Sequence, residues 1–511
     1  MADLHDLTAL EQAAAVRSRE VSPVELVEHY LARVDRLSDG VGACVTVTGD
    51  RARDAAREAE SRLSRDGEEL PPLFGVPTAI KDLNLTAGVR TSFGSATTAD
   101  FVPDVSDEVV LRMEAAGLVS LGKTNTPEFG SPCYTEPDVA PPARTPWDLD
   151  RMAGGSSGGA GAAVAAGLVP FAQGSDGGGS IRIPAGYTGL LGFKGTFGRT
   201  PRSPNAYMRP HTVVLGNLAR SVRDAARYYD VVTGHHAADP TSLPQHPSFE
   251  DGLGTHDLAG KRVAVIPALG GVTLEPGVEE RSRSEADALI AATGMERVDL
   301  DVRPPNLAAQ WMMGNLATLL ADLGDRWPKC APELTEEVAI GLRLATSMYN
   351  LHTAAAAERM RVEANNEMAR AFGEVDFIIA TTNPGPAFPA ESTTSSPTDS
   401  FLEWAQTNDV AKWAFRGVLG GVRVASAFAP GLPDWLLDRA GKTFPDLINM
   451  GALTIISNIY GNPAVSIPAG TIDGLPVGMQ VLGRHHEDAL LFDVALAAER
   501  ERPWPLVAPR D

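Results

Sequence analysis

The sequence predicts an α/β fold. Segments typical of helices alternate along most of the 511 residues with short apolar runs typical of buried strands. Because 43% of the residues are hydrophobic and 21% are charged, the chain can bury a large core. That core belongs either to one large domain or to two smaller ones.

Composition excludes several classes of function. The net charge of −21 repels phosphate backbones, so we expect no nucleic-acid partner. We also expect no membrane span and no signal peptide, since no apolar run is long enough and residues 1–12 lack a basic start. Cys44, Cys133 and Cys330 are too few and too far apart for a disulfide framework or a zinc site. These features favour a cytoplasmic protein without a metal.

The first third of the chain predicts helices that pack outside the core, over residues 7–18, 24–37 and 51–63. Ser22 and Glu25 have the spacing of a capping box at the start of the second helix.

A buried strand is predicted over Val76–Ile80, and a lysine follows it directly. Burial disfavours the charged amine, so it would lower the pKa of Lys81 and make this side chain a base near neutral pH. A solvent-exposed lysine at a strand end is the alternative interpretation.

Residues 117–124 match the spacing G-x-x-x-x-G-K-[ST] of a nucleotide-binding P-loop. In a P-loop the variable positions form the loop that follows a strand. Here those positions are apolar and form a predicted strand, 118–121, while Gly117 ends a predicted helix, 107–116. We therefore predict no nucleotide site at Lys123.

The remaining elements alternate up to the C-terminus. We predict helices over 157–166, 221–232, 278–293 and 488–500, and strands over 168–172, 262–266, 376–380, 455–460, 464–467 and 478–482. Between them lies a region, 305–440, rich in methionine and aromatic residues that form either core or an apolar pocket: Trp311, Met312, Met313, Met348, Tyr349, Trp404, Trp413 and Phe415.

Two glycine-rich turns carry serines. Gly154–Gly159 contains Ser156 and Ser157, and Gly177–Gly179 is followed by Ser180. Glycines let consecutive backbone N–H groups converge on one point and form a nest for negative charge. A serine beside such a nest favours acyl transfer, with the nest as oxyanion hole. A phosphate-holding loop is the alternative.

A Ser-His-Asp hydrolase is one way to activate such a serine. Residues 154–158 match G-x-S-x-G, but no hydrophobic strand precedes them, as that motif requires. His485, His486 and Asp488 are predicted on a surface turn, and the pair 235–236 lies in a polar loop. Lys81 is the other candidate base, because a Ser-Lys pair can replace the triad.

Seven motifs, in this order and spacing, resemble those of the amidase signature family. They are GVPTAIKD at 75–82, GKTNTPEF at 122–129, GGSSGG at 154–159, GSDGGGSIRIP at 174–184, GFKGTFGR at 192–199, GNPAVSIP at 461–468 and LPVGMQ at 475–480. The resemblance implies one domain over 1–511, built as a large mixed sheet with helices on both faces. Its parts are N-terminal helices (1–70), a signature core (71–235), a helical substrate-pocket region (305–440) and C-terminal core strands with a helix (441–511).

The resemblance further implies a Ser-cisSer-Lys triad and no cofactor. Ser180 is the nucleophile, Ser156 follows a cis peptide bond to Gly155, and Lys81 is the base. The oxyanion hole is assigned to the N–H groups of Gly177, Gly178, Gly179 and Ser180. Asp176 and Arg182 are expected to hold the nucleophile turn by hydrogen bonds, and candidate substrate-binding residues are Gly130, Ser131, Cys133 and Tyr134.

The predicted function is that of a serine amidohydrolase for aryl, linear or cyclic amides, esters or carbamates. Residues 174–180 and 135–137 resemble the subgroup with 6-aminohexanoate cyclic dimer hydrolase and aryl acylamidases. Thr145 and Gly195 depart from the usual motifs, the first near the expected pocket. The expected partners are a small-molecule amide and a second copy of the chain.

Two alternatives stay open: a glutamine amidotransferase subunit of a tRNA-dependent complex, and a non-catalytic binding protein. The amidotransferase subunit usually has Gln where this chain has Ile183.

Overall fold

The structure, a computed structural model, describes residues 3–65, 69–204, 211–391 and 451–509. Trp404, Trp413 and Phe415 of the predicted pocket region lie outside the described residues. Along these ranges the helices are α1 (Ala9–Arg17), α2 (Pro23–Val41), α3 (Gly49–Leu63), α4 (Glu108–Ala115), α5 (Gly158–Ala165), α6 (Arg182–Thr188), α7 (Val222–Val232), α8 (Val278–Thr293), α9 (Ala308–Leu323), α10 (Glu336–Met348), α11 (Leu351–Glu374), α12 (Ile455–Tyr460) and α13 (Asp488–Glu501).

The described strands form one mixed sheet in the order β1-β3-β2-β4-β6-β5-β10-β11-β9-β7-β8. The strands are β1 (Cys44–Val47), β2 (Pro77–Lys81), β3 (Val119–Thr124), β4 (Phe171–Asp176), β5 (Leu191–Lys194), β6 (Val214–Ala219), β7 (Arg262–Val265), β8 (Glu296–Arg297), β9 (Phe377–Thr381), β10 (Ala464–Ile472) and β11 (Leu475–Gly483). Strands β3, β2 and β4 are parallel to one another, and the strands from β4 to β9 are antiparallel.

Helices cover both faces of the sheet, which confirms the predicted architecture. Alternate residues of β9 show this, because Ile379 packs in one core cluster with α7, α8 and α13, whereas Ile378 and Ala380 pack in another with α11 and α12. Side chains of a strand point alternately to its two faces, so the two clusters lie on opposite sides. Toward the other end of the sheet, α2, α3 and α5 cover β2, β3 and β4.

Local signals placed several elements correctly. Ser22 accepts a hydrogen bond from the Glu25 N–H at the start of α2, and Ser221 caps α7 in the same way through the Asp224 N–H. The prediction of a strand over 455–460 is wrong, since these residues form α12, which ends at Gly461 with φ +85°. A short apolar run has no periodicity that separates a buried helix from a strand.

Candidate active site

The two glycine turns and Lys81 meet at one edge of the sheet. Lys81 is the last residue of β2 and Asp176 the last of β4. Because β2 and β4 are parallel neighbours, their carboxyl ends lie at the same edge. The first turn leads into α5, and the Ser157 N–H donates to the Ser180 carbonyl at 3.1 Å, which ties the two turns together.

The Lys81 side chain is fully buried among hydroxyl groups. Its Nζ lies 2.8 Å from Ser156 Oγ, 2.9 Å from Ser157 Oγ and 3.1 Å from Ser175 Oγ. No ion pair of the described residues includes this amine. Burial lowers the pKa of Lys81 from 10.5 to about 7, against the opposing effect of the Asp176 carboxylate. The amine can therefore exist uncharged near neutral pH.

The hydrogen bonds around Lys81 limit which hydroxyl can give it a proton. A neutral amine has two N–H donors and one lone pair. The Ser157 hydroxyl donates to the Ser175 carbonyl at 3.2 Å, so toward Lys81 it acts as an acceptor. The lone pair is then left for Ser156, the hydroxyl closest to Nζ, or for Ser175.

The first turn has the predicted backbone conformation. The peptide bond between Gly155 and Ser156 is cis, which confirms the expectation from the sequence. Gly155 packs directly against the backbone of Tyr134, because a Cβ atom at this position would lie 2.7 Å from the Tyr134 nitrogen. Only glycine fits between these two segments, and the turn is held close to Tyr134.

Asp176 and Arg182 hold the second turn, as the sequence predicts. The Asp176 carboxylate accepts from the N–H of Gly179 at 2.7 Å and from Arg182 Nε at 3.0 Å. Burial alone would raise the pKa of Asp176, but the Arg182 guanidinium outweighs it and holds this pKa well below its usual range. Arg182 in turn donates to Asn458 of α12 at 2.7 Å and to Gln480 of β11 at 2.9 Å.

One of the four N–H groups predicted to form the oxyanion hole donates elsewhere in the structure. The Gly179 N–H is engaged by Asp176, so it is directed into the turn. The N–H groups of Gly177, Gly178 and Ser180 donate to no acceptor among the described residues. Three N–H groups, rather than four, are therefore left for a developing oxyanion.

Ser180 and Ser156 are both nearly buried, with 8% and 3% of their surface exposed. The Ser180 hydroxyl makes no hydrogen bond to a described residue, so proton transfer from Ser180 to Ser156 stays a prediction.

The candidate substrate-binding residues lie beside the first turn. A Cβ atom at Gly130 would be 3.3 Å from Ser156 Oγ. The Ser131 N–H closes a backbone turn on the Glu128 carbonyl at 3.0 Å. Cys133 is partly exposed as a residue, but its thiol group is buried, and that burial raises the pKa of the thiol to about 12. Tyr134 is buried and donates its hydroxyl to Glu337 at 3.3 Å. Their role in substrate binding stays a prediction.

A cavity of about 600 Å³ adjoins the site. Ser175, one of the hydroxyls on Lys81, is part of its wall, and so is Leu83, which contacts Gly130. Three phenylalanine rings line it, Phe93, Phe101 and Phe129, with ring centroids 6.0 and 6.4 Å apart for the two pairs that Phe93 forms. Helix α9 adds Asn315, Thr318 and Asp322. Sequence reasoning missed these phenylalanines, because none belongs to a segment with helical or strand periodicity.

The rejected P-loop forms no phosphate site. Lys123 belongs to β3, is fully buried and lies 3.6 Å from the Asp82 carboxylate. Its Nζ also donates to the Asn84 carbonyl at 2.5 Å and to Thr91 Oγ1 at 2.9 Å. The side chain is thus directed into the protein.

The Ser-His-Asp arrangement is also absent from the described residues. Asp488 accepts from Thr196 and Arg199, while the His485 ring contacts the Tyr460 carbonyl at 2.7 Å.

A metal ion would need several His, Cys, Asp or Glu side chains close together. Within the described ranges such a group is formed by Asp3, His5 and Asp6 in the N-terminal turn, which contains none of the active-site residues. Among the described helices, none has the length and hydropathy of a bilayer-spanning segment.

Comparison with known proteins gives full-length relatives. A family model described as Amidase matches residues 25–433. The A subunit of the glutamyl-tRNA(Gln) amidotransferase of Salinispora tropica is 33% identical over 98% of this chain and 98% of its own length. Among solved structures, a bacterial aryl acylamidase of the amidase signature family has a TM-score of 0.83 at 28% identity, covering 98% of both chains. The 6-aminohexanoate cyclic dimer hydrolase has a TM-score of 0.81 at 27% identity, covering 100% of this chain and 99% of that one.

Proposed function

The chain belongs to the amidase family and cleaves amide C–N bonds, and from that premise we propose that Ser180, Ser156 and Lys81 perform the reaction through an acyl-enzyme. The observation that carries this proposal is the buried amine of Lys81, 2.8 Å from Ser156 Oγ with no carboxylate paired to it among the described residues. An amine in these surroundings is a base that can serve a serine hydroxyl.

The reaction proceeds in two halves. Uncharged Lys81 takes the proton of Ser156 while Ser156 takes the proton of Ser180, and Ser180 Oγ attacks the amide carbonyl. The C–N bond of the tetrahedral intermediate then breaks, and the proton returns from Lys81 through Ser156 to the leaving amine. Water, deprotonated by the same relay, hydrolyses the ester on Ser180 and restores both hydroxyls.

The glycine turn stabilises the tetrahedral intermediate. The N–H groups of Gly177, Gly178 and Ser180 converge on the developing oxyanion, and losing one such donor should raise the barrier by about 3–4 kcal/mol. Asp176 and Arg182 keep the turn in this conformation before substrate binds.

The cavity supports an amide with an aromatic or other apolar group as substrate. Its phenylalanine rings offer faces for such a group, and Ser175 connects the cavity to Lys81. Aryl amides fit this description best, and carbamates or esters with the same group share the chemistry.

A second candidate is a glutamine amidotransferase subunit, and the comparison by sequence favours it. The curated relatives, at 31–33% identity over nearly the whole chain, carry that name, whereas the hydrolase structures are 27–28% identical. Against this candidate, the position at which the amidotransferase subunit usually has Gln is Ile183 here, and its apolar side chain is fully buried in a cluster with Met152 and Tyr187. Both candidates use the same acyl-enzyme on Ser180.

The shared chemistry is tested first by labelling with a fluorophosphonate and mapping the modified peptide by mass spectrometry. We expect the label on Ser180, and none in Ser180→Ala. The matched control is Ser282→Ala, which removes a buried hydroxyl from α8 and should label like the wild type. A label on Ser156 or Ser157 would reverse the assigned roles.

The two candidates are separated by assaying the purified chain alone on p-nitroacetanilide and on glutamine. Release of p-nitroaniline without glutamine hydrolysis supports the hydrolase. Glutamine hydrolysis that appears or increases only with further subunits supports the amidotransferase and would overturn the aryl amide as substrate.

A further inference from the structure

Two side chains from outside the glycine motifs hold the carbonyl groups of the nucleophile turn. The indole Nε1–H of Trp311 on α9 donates to the Gly177 carbonyl at 2.6 Å. The Thr454 hydroxyl, just before α12, donates to the Gly178 carbonyl at 2.6 Å. The peptide group between Gly177 and Gly178 and the one between Gly178 and Gly179 are therefore each held by one side-chain hydrogen bond.

The two contacts have different consequences for the oxyanion hole. In a trans peptide the C=O of one residue and the N–H of the next point in opposite directions. The bond from Trp311 to the Gly177 carbonyl thus sets the direction of the Gly178 N–H, which donates to no acceptor among the described residues. The bond from Thr454 to the Gly178 carbonyl sets the direction of the Gly179 N–H, which already donates to the Asp176 carboxylate.

The indole ring also packs on the turn. A Cβ atom at Gly178 would lie 2.9 Å from Trp311 Cε2. The ring therefore limits movement of this peptide away from the position that its hydrogen bond defines. Hydrogen bonding to a peptide carbonyl polarises the whole peptide unit, which strengthens its N–H as a donor.

Helix α9 fixes Trp311 in place. Trp311, Asn315, Thr318 and Asp322 recur at the spacing of one helix face, and the last three line the cavity. Asn315 Nδ2 donates to the Trp311 carbonyl at 2.8 Å. A neighbouring face, about 100° around the helix, packs its leucines into a separate core cluster with α10: Leu316, Leu319 and Leu323.

We propose that Trp311 is a positioning residue for the oxyanion hole: its indole N–H aims the Gly178 N–H at the developing oxyanion. The proposal rests on the proposed acyl-enzyme chemistry. Trp311 lies outside every motif of the family resemblance, and 134 residues separate it from Gly177.

The test is the rate at which a fluorophosphonate modifies Ser180, because the phosphoryl oxygen uses the same N–H groups as an amide carbonyl. Trp311→Phe retains a ring on Gly178 and removes the N–H, and we expect labelling to slow about 10-fold or more. The matched control is Trp504→Phe, which removes an indole donor to the Arg220 carbonyl (2.9 Å) and should label at the wild-type rate. With any amide that the wild type hydrolyses, kcat should fall and KM should change less than about threefold.

The outcomes distinguish this proposal from the proposed function. If wild-type Ser180 does not react, the acyl-enzyme itself is refuted. If wild-type Ser180 reacts and Trp311→Phe reacts within twofold of Trp504→Phe, the positioning role of Trp311 is refuted and the acyl-enzyme stands. Should Trp311→Phe not fold, the same comparison is made with 3-benzothienylalanine at position 311, which keeps the fused ring and lacks the N–H.

Discussion

Two lysines are buried side by side in this sheet, and the groups around their amines differ. Lys81 ends β2 and Lys123 lies near the end of the parallel neighbour β3, in register with Ile80. Both side chains are buried, and burial lowers the pKa of both, to about 7 for Lys81 and to about 8 for Lys123.

Their neighbours differ in what they can exchange with an amine. Lys123 lies 3.6 Å from the Asp82 carboxylate and donates to a carbonyl and a hydroxyl. Lys81 is surrounded by three serine hydroxyls, of which Ser157 accepts from the amine while Ser156 and Ser175 are able to donate to it. Burial alone therefore does not make a catalytic base. A carboxylate partner turns one buried lysine into a structural ion pair, and hydroxyl partners leave the other free to accept a proton.

The largest effect is expected from Lys81→Met. We expect kcat to fall at least about 10⁴-fold, as for loss of a triad member, while the free energy of unfolding changes by less than about 2 kcal/mol. Steady-state hydrolysis and urea unfolding measure the two quantities. Turnover within tenfold of the wild type would contradict the role of Lys81 as the base.

The opposite pattern is expected from Lys123→Met. Removing this amine leaves the Asp82 charge buried without its partner, so the free energy of unfolding should fall by about 3–5 kcal/mol. Folded protein should retain kcat within about tenfold. A stability equal to that of the wild type would show that the Lys123–Asp82 pair is not a structural ion pair.

A smaller effect is expected when both partners of the pair are replaced. Lys123→Met with Asp82→Asn leaves no buried charge, and we expect stability within about 1–2 kcal/mol of the wild type. Urea unfolding of the single and double variants forms a double-mutant cycle. Additive losses in that cycle would mean that Lys123 and Asp82 act independently.

The sequence predicted the strand positions of the two lysines but not the groups that surround their amines. Position after an apolar run allowed either a buried or a solvent-exposed Lys81, and the family resemblance pointed to the buried base. The P-loop spacing around Lys123 could be dismissed from its apolar variable positions. Neither of these sequence patterns reveals the hydrogen bond between Lys81 and Ser175 or the one from Trp311 to the Gly177 carbonyl. Both bonds form only when elements distant in sequence pack together. The predicted cap at Ser22 is correct, since a cap depends on residues three apart. The helix at Ile455–Tyr460 was missed because its identity is set by burial on all sides.

The most direct test of the neutral lysine is the pH dependence of fluorophosphonate labelling of Ser180. Only uncharged Lys81 can accept the proton, and its fraction falls as pH drops below the pKa of about 7. We expect a constant rate above about pH 8 and a tenfold fall for each pH unit below 7, with the same inflection in Lys123→Met. A rate that stays flat from pH 8 to pH 5 would contradict Lys81 as the base.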